Sequence, residues 1–109
     1  MGYYRSHTIA ITSVFQDDVK EAHAKAKEIF DNQMVTEIIS GTTNAQDSFF
    51  VAPDGSKEGW DESDKQDDNR KALIDWIDAH NDKKGCSYIQ YVEMYFADDN
   101  EMCEILKHN

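Results

Sequence analysis

The chain has one proline, five glycines and two cysteines in 109 residues, and 11 Lys and Arg stand against 22 Asp and Glu. Each shortage excludes something. Two cysteines, Cys86 and Cys103, are too few for a disulfide framework. They form no Cys-x-x-Cys pair and each adjoins an apolar run, where a free thiol behaves as a small hydrophobe. The deficit of basic residues leaves a formal net charge of −11, a field that repels nucleic-acid phosphate and anionic membranes and attracts cations or basic protein surfaces. No stretch of 18 apolar residues occurs, and "MGYYRSHTIAITSVF" has a single Arg, so a cytoplasmic chain without a membrane span is expected. Gly2 with Ser6 matches the myristoylation pattern weakly, and nothing polybasic accompanies it.

Catalytic signatures are missing as well. There is no His-Glu-x-x-His, no Walker or dinucleotide glycine spacing and no nucleophile elbow. No reaction, cofactor or metal is assigned, and a non-enzymatic protein is expected.

The apolar residues that are present cluster with a clear period. "HTIAITSVF", His7 to Phe15, reads as a central strand packed on both faces or nearly so. From Asp17, the residues Val19, Ala22, Ala26, Ile29 and Phe30 recur at helical spacing behind two N-terminal carboxylates. "MVTEIISG" (34–41) and "SFFVA" (48–52) read as two strands joined by the turn chemistry of "GTTNAQD", and so as an antiparallel pair. A second helix is expected from about Asp67 to His80, with Leu73, Trp76, Ile77 and His80 on one face. "CSYIQYVEMYFA" (86–97) and "EMCEILK" (101–107) complete the chain as a hairpin turning at Asp98 to Asn100.

The order strand, helix, strand, strand, helix, strand, strand predicts one α+β domain over residues 1–109. Its sheet is antiparallel-rich with two helices on one face, a split βαβ or ferredoxin-like arrangement plus a C-terminal edge strand. In that hairpin Cys103 lies opposite roughly residue 95. Cys86 is then roughly 30 Å away at ~3.4 Å per residue, which excludes an intrachain disulfide. The exposed last strand leaves monomer and edge-paired dimer both open.

Between the third strand and the second helix runs an acidic connector containing Asp54, Glu58, Asp61, Glu62, Asp64, Asp67 and Asp68, with Trp60 among them. Counted from Asp54, the residues Asp54, Ser56, Glu58 and Gly59 fall at positions 1, 3, 5 and 6 of a calcium loop. Position 12, which calls for a bidentate Glu, is Lys65. Asp67 and Asp68 suit the positive end of a helix, and Ser63 or Asp64 its N-cap. Trp60 is either an aromatic folded back over the core edge, the reading expected here, or an exposed anchor for a partner. His23 and His80 fall on apolar helix faces and are expected to be partly buried and hydrogen-bonded. Tyr88, Tyr91, Tyr95 and Phe96, with Phe49 and Phe50, form an aromatic set that could stack RNA bases on an open sheet. The acidic charge favours core packing or protein contact instead.

At "SFFVAPDGSKEGW" the sequence resembles small bacteriophage-encoded proteins with the pattern Phe-Phe-x-Ala-Pro-Asp-Gly-Ser-Lys-Glu-Gly-Trp. The "MGYYR" start and a helix carrying "EAHAKA" are similar too, and the likeness is most specific from Phe49 to Trp60. It implies no catalytic residue. It implies a small acidic accessory protein that binds a host protein with a basic surface, inhibiting a nucleic-acid-binding or defence factor. The candidate contact residues are Asp54, Glu58, Trp60, Asp61, Glu62, Asp64, Asp67 and Asp68. Two other readings stand beside it: a metal-dependent or small-ligand-binding enzyme using the 54–61 turn, and a virion or assembly component.

Overall fold

Alternation along the first strand sets the architecture. In β1 (Arg5–Ser13), Ile9 and Ile11 point to one side and are buried, while Ala10 between them is exposed. A computed structural model describes residues 5–57, 59–84, 89–97 and 103–109. In it β1 is the middle strand of a five-stranded sheet of order β2-β3-β1-β4-β5, with β2 at Ile39–Ser40, β3 at Asp47–Val51, β4 at Gln90–Ala97 and β5 at Glu104–His108. Every neighbouring pair is antiparallel. This is the α+β, split βαβ layout with an added C-terminal edge strand.

Helices α1 (Gln16–Ile29) and α2 (Asp61–Lys84) supply the second layer. Val19, Ala22, Ala26 and Phe30 meet Leu73, Ile74 and Ile77 over Ile9, Ile11, Phe49, Val51, Ile89 and Tyr91 in one buried cluster. Full burial of each large aliphatic side chain contributes about 1.5–3 kcal/mol. None of the described helical residues forms a span long and apolar enough to cross a membrane.

The core is apolar at one end only. Farther along the same sheet face, His7 packs on Tyr95 with ring centroids 5.5 Å apart. Above them α2 buries Ser63, Gln66 and Arg70. Arg70 is ion-paired with Asp67 on its own helix and lies 3.8 Å from Glu93 on β4. That polar underside explains the first correction: α2 starts at Asp61, not near Asp67, and runs on past His80 to Lys84. Its buried positions 63, 66, 70, 73, 74, 77 and 81 keep helical spacing, but four of the seven are polar and give no hydrophobic signal.

At the far end, Asn81 holds the helix against β4. Its amide donates to Ile89 O at 2.8 Å and accepts from Ile89 N at 3.0 Å, as a neighbouring strand would.

The second strand is shorter than 34–41. Met34 has a left-handed backbone (φ 60°), and only Ile39 and Ser40 pair regularly with β3. The intervening chain still runs beside β3. Ala52 N donates to Met34 O, Thr36 N to Phe50 O, and Phe50 N to the Thr36 hydroxyl. The turn back to β3 requires glycine at 41, since a Cβ there would lie 2.6 Å from the Gln46 carbonyl oxygen.

In the final hairpin Glu104 lies opposite Tyr95, with a bulge after Glu93, so Cys103 sits one residue from the expected register. Its thiol is free and exposed, not buried beside an apolar run. Cys86 and the turn at 98–100 lie outside the described residues.

Candidate functional site

The acidic connector becomes the opening turns of α2. Asp61, Glu62 and Asp64 occupy its first turn, where the exposed N–H groups and helix dipole favour carboxylates. Two of the run's acids bind within the helix: Glu62 accepts from the Gln66 amide at 2.6 Å, and Asp67 pairs with Arg70. Asp61, Asp64 and Asp68 are exposed and make no ion pair among the described residues. Their spacing, i, i+3 and i+7, places them in one stripe. Lower on the helix, Lys71 closes the pattern by binding Asp75 at 2.7 Å, and this hydrogen bond holds the Asp75 carboxyl below its ordinary range.

Trp60 heads the stripe. Its backbone carbonyl accepts from Asp64 N at 3.1 Å, and its own N–H donates to Lys57 O at 3.2 Å. The side chain is 51% exposed, so it is not folded over the core edge as expected. Asp54 is engaged by the Ser56 hydroxyl at 2.7 Å, which joins two would-be calcium ligands to each other. Glu58 lies outside the described residues. Of the eight candidate contact residues, α2 and its N-terminal flank therefore gather Trp60, Asp61, Glu62, Asp64, Asp67 and Asp68.

A second feature is the sheet face away from the helices. Thr8, Ala10 and Thr12 on the central strand are small, and they are flanked by Phe50, Val92, Met94 and Phe96. The result is a hollow of about 600 Å³. Phe50 and Phe96 remain 42% and 52% exposed. Thus among the described residues the helices cover one face of the first strand, while on the other Thr8 is buried, Thr12 half-buried and Ala10 exposed. The aromatic set is divided: Phe49, Tyr91 and Tyr95 enter the helix side, Phe50 and Phe96 line the hollow, and Tyr88 lies outside the described residues. Among the described residues no Lys or Arg lines the hollow, so the basic side chains that usually accompany base stacking are not supplied by these residues.

Both helix histidines behave as expected. His23 Nε2 lies 2.8 Å from Thr36 O, with its ring edge-on to Phe49. His80 Nε2 lies 2.9 Å from Asp18 Oδ1 and 3.6 Å from Glu21. Asp18, Glu21 and His80 present ligand-type atoms within 4.8 Å of one another, a grouping that sequence reasoning missed because Asp18 and His80 are 62 residues apart. His80 Nε2 and Asp18 Oδ1 lie at hydrogen-bond distance from each other. As it stands, the cluster ties α1 to α2.

Comparison with protein-family models, with curated proteins and with solved structures gives no match.

Proposed function

We propose that this chain is a small acidic accessory protein of phage type, without catalytic activity, that binds a host protein with a basic surface through the outer face of α2. Occupying such a surface would block a nucleic-acid-binding or defence factor. The observation that supports this reading is the Asp61, Asp64 and Asp68 stripe beside the half-exposed Trp60. Helix stabilisation accounts for Asp61 and Asp64 and the Arg70 pair accounts for Asp67, but neither accounts for Asp68, which lies beyond the first turn and makes no ion pair among the described residues. An aromatic anchor beside a stripe of like charges suits a partner that supplies cations around an apolar pocket.

Capture from bacterial extract on the immobilised chain tests the proposal. A specific protein should be retained at roughly 50 mM salt and released by roughly 300 mM, because an electrostatic interface weakens as the screening length falls. Retention of nothing at the lower salt contradicts it.

A further inference from the structure

We infer that the sheet face away from the helices is the interface of a symmetric homodimer, in which two copies pack sheet to sheet. Among the described residues the hollow over β1 is lined by no Asp, Glu, Lys or Arg, although 30% of the chain is charged. A basic partner of the kind drawn to α2 would find no counter-charge here. A second copy brings the same uncharged, apolar surface.

Shape and charge both favour that occupant. The face has a trough of small side chains, Thr8, Ala10 and Thr12, bordered by the projecting rings of Phe50 and Phe96. A two-fold axis through the trough would set the ridges of one copy against the trough of the other, as an isologous contact requires. The Asp61, Asp64 and Asp68 stripe lies on the outer side of the helix layer. Two sheets packed at about 10 Å, with a helix about 10 Å thick outside each, hold the two stripes roughly 30 Å apart, several times the ~8 Å screening length at physiological salt. The charge of −11 therefore opposes association through the helices far more than association through this face.

The area is sufficient. Four strand spacings of about 4.8 Å by the length of the eight-residue β4 give a face of at most roughly 500 Å² per copy. The pair buries up to about 1,000 Å², the size of a weak, reversible interface.

Sedimentation equilibrium of the full chain tests this. The wild type should pass from 12.5 kDa toward twice that mass as its concentration rises through roughly 100 μM, the behaviour of a modest interface. Ala10→Glu, at an exposed position in the middle of the trough, should keep the wild-type circular dichroism spectrum and remain monomeric. Phe96→Asp is the second variant, at another exposed position, and should do the same. A wild type that stays at 12.5 kDa to about 1 mM overturns the inference. So does a dimer that survives in both variants, which would locate pairing at the β5 edge. A monomer that binds a fatty acid or a heterologous protein on this face also overturns it.

Discussion

His80 and Asp18 join the two helices by a contact of 2.9 Å, with the Trp76 indole stacked on the imidazole at 5.0 Å. The two side chains are only 12% and 8% exposed. His80→Ala removes that partner from a buried carboxylate and should destabilise the fold by about 1–3 kcal/mol. Urea denaturation measures it, and Asp18→Asn in the same background should recover part of the loss by removing the charge. A single-variant change below about 0.5 kcal/mol would contradict this role.

Asn81 replaces a strand neighbour for Ile89, so Asn81→Leu should cost about 1–3 kcal/mol by leaving the Ile89 N–H without its acceptor. Asn81→Asp keeps an acceptor and loses the donor, and Asn109 still donates to Ile89 O at 2.7 Å. The new carboxylate nevertheless buries a charge and faces the Ile89 carbonyl oxygen, so the Asp variant should be at least as destabilised as Leu. Thermal melts of the three proteins rank them.

Arg70 is almost fully buried between Asp67 and Glu93, and its Nε makes no hydrogen bond among the described residues. Arg70→Ala strands Glu93 beneath the helix and should cost about 3–5 kcal/mol. Arg70→Met with Glu93→Gln removes both charges while filling the space, and should be much milder. The contrast between the two in denaturant midpoints separates the ionic contribution from packing.

The Tyr91 phenol is buried and donates to Asp78 at 3.1 Å. Burial, then the hydrogen bond to Asp78, then the negative charges of Asp78, Glu93 and Asp75 push its pKa far above the usual tyrosine range. Below about pH 10 the phenol is protonated in both folded and unfolded chains, and this contribution to stability is complete. Above that, the unfolded chain loses the proton first and binds fewer protons than the native one, so stability falls as pH rises. Tyr91→Phe should flatten the fall between about pH 10 and 12. It should also remove a high-pH step from a 295 nm tyrosine titration.

What the sequence made legible follows from where apolar side chains mark the buried positions. Val19, Ala22, Ala26 and Phe30 announce α1, and Ile9 and Ile11 announce the central strand, since each burial is hydrophobic and periodic. The first two turns of α2 were hidden because Ser63, Gln66 and Arg70 take the inward positions, so a helix read as a solvated run. The second strand was overread for the opposite reason. Met34, Val35, Ile38 and Ile39 are apolar, but the left-handed Met34 and the Thr36 hydroxyl break the ladder. The eight candidate residues could be named, but their division into inward-bonded Glu62 and Asp67 and outward Asp61, Asp64 and Asp68 needed the helix phase. The Asp18 and His80 pair and the hollow over Ala10 depend on tertiary placement and left no local mark.

The proposed binding role is tested most directly by capture from bacterial extract with two charge-matched variants. Asp61→Asn, Asp64→Asn and Asp68→Asn together remove three charges from the stripe. Asp31→Asn, Asp82→Asn and Glu104→Gln remove three from exposed positions elsewhere. Melting temperatures are compared first, because first-turn carboxylates on α2 contribute about 0.3–1 kcal/mol each. The stripe variant should lose the partner at low salt while the control retains it. Equal retention by both, or equal loss from both, would contradict a site on α2, the latter pointing to net charge alone.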